Sequence, residues 1–413
     1  MTTAMDALPG DVRLQFTLRA LYEQYGYHLY RMAKFEPYDM YRENKNFLRG
    51  ENIITFSNPN GVLMALKPDV TLSIVKNAKP DVKTQKLYYH ENVFRREKNS
   101  REYGEIWQMG LEFIGGGTGY AEAEVVALAN KSLRATGGET VLNISHMGFV
   151  MALLDAAALP MEARDGLLSA LRQKNRSGVA AILAQNGVEE ESASVLCALA
   201  TFSQPLSGAL PALRALCKNA EMEAAVGEME ALAGALCVLD DLSGVRVDFS
   251  VVNDLDYYNG LVFQGYVKGI PRAVMSGGRY DNMMRRLNKP QNALGFALYL
   301  DELERALREV KPYDVDAVLL YGNARPEAAA QAAAALLKEG ISVRAECEMP
   351  ENVRARRPDG GGTACLISRC PRGAWAIRCS SYFHRSALAS WPWARTVASW
   401  WWKARTAGCA ISW

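Results

Sequence analysis

Histidine is scarce in this chain. Only four of its 413 residues are histidine, and His28, His90, His146 and His384 lie far apart. A histidine-rich metal centre or a Cys-His nucleophile pair is therefore a poor candidate, and neither a metal nor a cofactor is expected. The eight cysteines include no Cys-x-x-Cys pair and fit reduced thiols better than a disulfide framework. No stretch approaches the roughly 18 consecutive apolar residues of a membrane-spanning helix. No basic start leads into an apolar stretch and a small-residue cleavage site, so no secretory leader is read. A cytoplasmic chain without a membrane partner is expected. The formal charge of +2 gives no case for a strongly basic nucleic-acid protein. What is present, 49% hydrophobic and 22% charged residues, is ordinary globular composition, and the length predicts two or three domains.

The averages hide a discontinuity. From Val353 to Trp413 there are ten basic side chains and one acid, Asp359, whereas the first 352 residues hold 37 basic and 44 acidic ones. Seven of the eight tryptophans and four of the eight cysteines fall in this tail, and none of the fifteen methionines. Such a segment reads as a nucleic-acid arm, a membrane-surface segment, or the product of a reading-frame change. It shows no useful helical or strand periodicity. Joint enrichment in Arg, Cys, Trp and Ser favours a frame change between Val343 and Arg357. The encoding DNA, read in another frame, should then continue the preceding pattern; an intact single frame in related genomic copies would refute this.

Ahead of the tail, Val12–Tyr25 places Leu14, Phe16, Leu18, Leu21 and Tyr22 mostly at helical spacing, with Gly26 as a stop signal. Apolar segments Asn52–Phe56 and Val62–Leu66 flank Ser57-Asn58-Pro59-Asn60-Gly61, a hairpin turn signal. Lys67-Pro68-Asp69-Val70-Thr71 opens a helix, since proline suits the first turn and an acid there complements the helix dipole. Strands are expected at Gln85–Tyr89 and Ile106–Phe113, and helix from Ala121. His146 to Leu239 is Ala/Leu-rich at helical periodicity and reads as an all-helical insertion. Strand character returns at Val245–Val251 and Leu261–Val267, followed by a helix over Ala297–Leu307. Ala317–Tyr321, Pro326–Lys338 and Ile341–Ala345 read strand–helix–strand. The fold class is α+β, an antiparallel sheet flanked by helices. The expected domains are a core over 1–310 containing the insertion 146–239, a partial α/β unit over 311–350, and the anomalous tail 351–413.

Chemistry concentrates in a few places. Gln108, Gly110 and Glu112 share one face of their strand by period-two alternation, a polar floor with room for a small ligand. Arg95 stands in Phe94-Arg95-Arg96-Glu97 and reads equally as an anion contact or a structural ion pair. Asp254-Leu255-Asp256-Tyr257-Tyr258-Asn259-Gly260 precedes one strand, and Ser276-Gly277-Gly278-Arg279-Tyr280-Asp281 follows another; glycine pairs there let a ligand approach closely. Each piece alone has a plain alternative: a surface residue for Glu112, core packing for Tyr257 and Tyr258. Gly115-Gly116-Gly117 lacks the Gly-Lys-Ser/Thr of a phosphate loop and reads as a turn.

In this order the pieces resemble the catalytic core of the histidyl-tRNA synthetase family, a class II aminoacyl-tRNA synthetase fold. The resemblance runs from about Val12 to Leu307 and partially to about Ala345. Leu66-Lys67-Pro68-Asp69-Val70-Thr71 is similar to the family's Leu-Arg-Pro-Glu-Gly-Thr, and Phe94-Arg95 with Gln108 to Glu112 resembles its motif 2. Leu255-Asp256-Tyr257-Tyr258 and Gly277-Gly278-Arg279-Tyr280-Asp281 resemble its two histidine signatures. The resemblance implies a histidine pocket: Asp69 and Glu112 toward the α-ammonium with Thr71 beside them, Gln108 nearby, and Tyr258 and Tyr280 bounding the imidazole. A cation wants carboxylates, and a planar ring wants aromatic walls.

The chain departs from the synthetase pattern where activation chemistry resides. The arginine of Arg-Gly-Leu-Asp-Tyr-Tyr is Asn253, and the motif 3 arginine that clamps ATP phosphates is Glu302. The motif 2 loop between Glu97 and Gln108 is one residue shorter and lacks Arg-Pro-Gln. A carboxylate facing a triphosphate adds repulsion where attraction is required. A pocket kept without its reaction is similar to the regulatory subunits of ATP phosphoribosyltransferase. That resemblance implies a non-catalytic chain that partners a short-form ATP phosphoribosyltransferase catalytic subunit in the first step of histidine biosynthesis. Histidine would be its effector, and the chain would form a homodimer within a hetero-oligomer. A divergent histidyl-tRNA synthetase, a nucleic-acid binder acting through the tail, and a ligand-free scaffold stay open at this point.

Overall fold

The computed structural model describes residues 8–42, 53–79, 81–96, 102–115, 119–252, 259–307, 314–348, 353, 364–369 and 375–380. The chain divides into two units, Met1–Arg308 and Glu309–Trp413.

In the first unit the strands are β1 (His28–Leu29), β2 (Phe35–Pro37), β3 (Thr55–Ser57), β4 (Leu63–Leu66), β5 (Thr84–Arg96), β6 (Tyr103–Gly115), β7 (Thr140–His146), β8 (Ser203–Pro205), β9 (Val245–Asp248), β10 (Leu261–Val267), β11 (Met275–Arg279) and β12 (Ala293–Tyr299). Its helices are α1 (Gly10–Gln24), α2 (Asp39–Arg42), α3 (Thr71–Asn77), α4 (Tyr120–Arg134), α5 (Met147–Ala156), α6 (Met161–Arg172), α7 (Arg176–Gln185), α8 (Glu190–Leu199), α9 (Leu206–Ala215), α10 (Ala220–Leu239), α11 (Asp281–Arg286) and α12 (Leu300–Leu307). Nine strands form one sheet in the order β1-β5-β6-β12-β11-β10-β7-β9-β8. Every pairing from β5 through β7 is antiparallel, as the α+β reading expects. Only β1 on β5 and β9 on β7 are parallel.

Register decides what each face carries. Leu111, Phe113, Leu142, Ile144, Phe263, Phe296 and Leu298 are buried in one apolar core with Leu14, Leu18 and Tyr22 of α1 and Val125 and Leu128 of α4. Cross-strand partners share a face. Glu112 pairs with Gly295, Gly295 with Gly278, Gly278 with Val262 and Val262 with Ser145. The face away from α1 and α4, open only in the sense that those two helices leave it uncovered, therefore carries small or polar side chains over five strands, buried at Glu112, Val262 and Ser145. The three-stranded sheet β2-β4-β3, α3 and α11 build a second, smaller core beside it, from Tyr41, Val70, Leu72, Tyr89, Tyr280 and Met283.

The hairpin expected at Ser57–Gly61 is present. Asn58 Oδ1 accepts the N–H groups of Asn60 and Val62 at 3.0 and 2.9 Å, and Gly61 adopts φ +78°, a conformation that glycine enters without a Cβ penalty. The 146–239 segment starts on the last residue of β7 and is then helical apart from β8 and the connecting turns. It shares its core with the sheet, through Leu167, Leu183, Leu213, Met229 and Leu236. The helix expected over Ala297–Leu307 begins only at Leu300, because β12 runs on to Tyr299. Pairing with β6 and β11 buries Phe296 and Leu298, and that tertiary gain overrides the helical spacing.

The second unit holds β13 (Ala317–Leu320), α13 (Pro326–Lys338), β14 (Val343–Glu346), β15 (Ala364–Arg369) and β16 (Trp375–Ser380). Its sheet order is β14-β13-β15-β16, with β13 parallel to both neighbours and β16 antiparallel to β15. The strand–helix–strand reading holds, and the tail supplies two strands that its own periodicity does not announce.

Candidate functional site

The site is centred on Glu112. Its strand, β6, turns Gln108, Gly110 and Glu112 toward the open face, and both Gln108 and Glu112 are buried, at 3% and 2% exposure. Gly295 stands opposite Glu112 on β12, and a Cβ there would lie 1.9 Å from Glu112 Oε2. The carboxylate occupies the space where another residue would carry its side chain. Gly110 plays a like part, since a Cβ on it would lie 2.6 Å from the Tyr89 hydroxyl.

Two hydroxyls from separate elements converge on this carboxylate. Thr71 Oγ1, at the start of α3, donates to Oε1 at 2.6 Å. The Tyr280 hydroxyl, just ahead of α11, donates to Oε2 at 2.5 Å. Burial pushes the Glu112 carboxyl up to about 8, and the nearby charge of Asp69 adds to this, against the lowering effect of the two hydroxyls. Near neutral pH the group therefore favours its protonated form.

Asp69 caps α3 by accepting the Leu72 N–H on Oδ1 at 2.7 Å, which satisfies one orphan donor of the helix start. Its other oxygen takes Arg95 Nη2 at 3.2 Å, and Arg95 Nε also donates to the Pro68 carbonyl. The structure thus places Arg95 in an ion pair that braces the turn opening α3. Asp69, Thr71, Glu112 and Tyr280 are joined by these contacts and by the Asp69–Glu112 field, and Gln108 lines the same strand face. Tyr258, like Asn253 and Tyr257, lies outside the described residues. Glu302, at the start of α12, pairs with Arg272 at 3.1 Å.

Sequence reading did not single out the supporting wall. Lys67, 1% exposed, forms an ion pair with Glu91 of β5, which also accepts the Met32 N–H at 3.2 Å. Glu36 of β2 accepts from Ser73 at 2.8 Å and from the Tyr41 hydroxyl. At the far rim, Arg279 Nε donates to Asp281 at 2.6 Å and Nη1 to Glu122 at 3.3 Å. Asn259 accepts the Asp281 N–H at 3.0 Å, which fixes the chain just after the undescribed segment 253–258. The one signal the sequence offers is Lys67, a charge at an expected helix start; Glu91 lies beyond the strand expected at Gln85–Tyr89.

Comparison with known proteins gives the same placement. The histidyl-tRNA synthetase family model matches residues 6–303. The ATP phosphoribosyltransferase regulatory subunit of Caldanaerobacter subterraneus subsp. tengcongensis is 30% identical over 354 residues, 81% of this chain and 90% of the relative. The crystal structure of an ATP phosphoribosyltransferase regulatory subunit/histidyl-tRNA synthetase from Bacillus halodurans C superposes with TM-score 0.69 at 26% identity, covering 83% of this chain and 90% of that one. The ATP phosphoribosyl transferase complex from Thermotoga maritima shares the fold at TM-score 0.56 and 17% identity, over 70% of this chain and 97% of the other. With its synthetase-type sheet and an acidic pocket on that sheet's open face, the chain belongs to the ATP phosphoribosyltransferase regulatory subunits, which carry the histidyl-tRNA synthetase fold.

Proposed function

We propose that the chain is the non-catalytic partner of a short-form ATP phosphoribosyltransferase catalytic subunit, and that its Glu112 pocket receives histidine as an effector. The observation that carries this reading is the pairing of a buried acidic pocket with a disarmed activation site. Asp69 and Glu112 offer negative charge to an amino-acid cation, Thr71 and Gln108 offer polar contacts, and Tyr280 offers an aromatic wall. Where a synthetase places an arginine on the ATP phosphates, Glu302 sits paired with Arg272. Adenylate formation needs positive charge at the reacting phosphate, so phosphoribosyl transfer from 5-phosphoribosyl diphosphate to ATP belongs on the partner chain.

A homodimer completes the proposed assembly. Phe35, Phe56, Val62 and Leu63 are exposed around β2, β3 and β4, with the Phe35 and Phe56 rings edge-to-face at 5.1 Å. An apolar cluster of this kind favours burial against a second copy.

The test mixes the full chain with the short-form catalytic subunit of the same genome and follows phosphoribosyl-ATP. Formation that needs this chain, and that falls on adding histidine, is the expected outcome. A folded chain with no effect on the catalytic subunit, yet active in histidine-dependent ATP–pyrophosphate exchange, would replace this reading with a divergent synthetase.

A further inference from the structure

The open sheet face carries a second concavity, away from Glu112. Val141 and Asn143 of β7 and Tyr266 of β10 form its floor, on one face because Tyr266 pairs with Val141 and Gln264 with Asn143. Arg172 and Lys174, where α6 ends, and Ser250, beyond β9, complete a cavity of about 450 Å³. That volume is in the range of small-molecule sites.

The two cations differ in how they are used. Lys174 Nζ lies 2.6 Å from Asp248 Oδ2, and Asp248 Oδ1 accepts from the Ser250 N–H and hydroxyl at 2.9 and 2.6 Å. Arg172 donates Nε to the Val252 carbonyl at 2.9 Å and has no carboxylate partner among the described residues. Arg172 lines the cavity, and no hydrogen bond from its terminal nitrogens is seen among the described residues. Lys174 adopts φ +53° in a helix-ending turn closed by Asn175 N–H to Ala170 O at 2.9 Å. Glycine is favoured in that position; here the turn sets Lys174 beside Asp248.

We propose that this cavity binds a small organic phosphate. The Arg172 guanidinium presents parallel N–H groups that match two phosphoryl oxygens, and the Asn143 amide supplies a further donor. Tyr266 and Val141 give the organic portion a wall. An occupant would touch both the end of α6 and the chain leaving β9, and so would bridge the helical insertion and the sheet. The inference is independent of the Glu112 pocket.

The experiment titrates the full chain calorimetrically, at constant ionic strength, with glycerol 3-phosphate, inorganic phosphate and succinate. Expected are saturable 1:1 binding of glycerol 3-phosphate, weaker inorganic phosphate, and little succinate. Arg172→Ala should weaken glycerol 3-phosphate about tenfold or more, Arg172→Lys by less, and Arg176→Ala and Glu112→Gln hardly at all. If Arg172→Ala fails to fold, Arg172→Lys carries the comparison, because it keeps the charge and loses the fork. No saturation up to about 10 mM, equal losses in Arg176→Ala and Arg172→Lys, or succinate binding as tightly as glycerol 3-phosphate would each overturn the proposal.

Discussion

Replacing Glu112 by glutamine should make the empty protein more stable and the proposed histidine complex weaker, two effects of opposite sign from one atom. The Glu112 carboxyl rises from its ordinary 4.5 to about 8, chiefly through burial. Between those values the folded chain holds a proton that the unfolded chain has released. Stability therefore falls as pH climbs through this window. Each pH unit there is worth about 1.4 kcal/mol, so moving from pH 5 to pH 7.5 removes about 3 kcal/mol through this one group. Glutamine is neutral throughout and can still accept from Thr71 or Tyr280. Urea unfolding followed by far-UV ellipticity, which the helices of the first unit dominate, gives the comparison at both pH values. The Glu112→Gln chain should gain about 3 kcal/mol on the wild type between them; other carboxylates cancel in the difference. Histidine titrated at pH 7.5 should bind about 1.5–3 kcal/mol more weakly to the variant. A stability difference that does not change with pH would refute the assignment of a raised carboxyl to Glu112. Unchanged histidine affinity in a folded variant would remove this residue from the site.

Histidine binding should also release protons. A cation beside Glu112 favours its ionised form, so calorimetric heats at pH 7 should vary with the buffer's ionisation enthalpy and affinity should rise between pH 6 and 8; heats independent of buffer would contradict this. Gly295→Ala places a Cβ 1.9 Å from Glu112 Oε2 and should cost about 1–3 kcal/mol of stability along with histidine binding. Gly234→Ala in α10, where a Cβ meets nothing within 4 Å, should instead stabilise by about 0.5–1 kcal/mol. Thermal and urea unfolding of the two variants side by side checks both signs.

The local parts of this structure were legible because their causes are local. Asn58 and Gly61 specify a turn whatever surrounds them, and the alternation Gln108, Gly110, Glu112 fixes a shared face once the strand exists. What makes that face a site is not local. Glu112 meets Gly295 across strands separated by the whole insertion, and Tyr280 reaches it from 168 residues away. No spacing rule connects such positions; register does, and register follows from burying Phe296 and Leu298 on the opposite face. The same force moves the start of the expected helix from Ala297 to Leu300. Lys67 and Glu91 were passed over because a buried ion pair looks, in sequence, like two surface charges. Of the two tail strands, β15 pairs with β13 and β16 with β15 through backbone hydrogen bonds, which any sequence can supply, so side-chain pattern gives no notice of them.

An effector moves an assembly only by the difference in its affinity for two arrangements. The Glu112 pocket has the means to create such a difference. Burial and the charge of Asp69 favour the protonated form of its carboxyl; the proposed effector's cation would favour the ionised form. The interaction recovered is worth about 1–3 kcal/mol, the scale of ordinary allosteric coupling. It is felt at the start of α3 through Thr71 and ahead of α11 through Tyr280. Both helices pack in the smaller core with Tyr41 and Val70, next to the exposed Phe35 and Phe56 edge proposed for the second copy. In a synthetase the same binding energy lowers a chemical barrier. In the proposed regulatory role, with Glu302 paired to Arg272, it would act instead on how α3, α11 and the neighbouring three-stranded sheet sit.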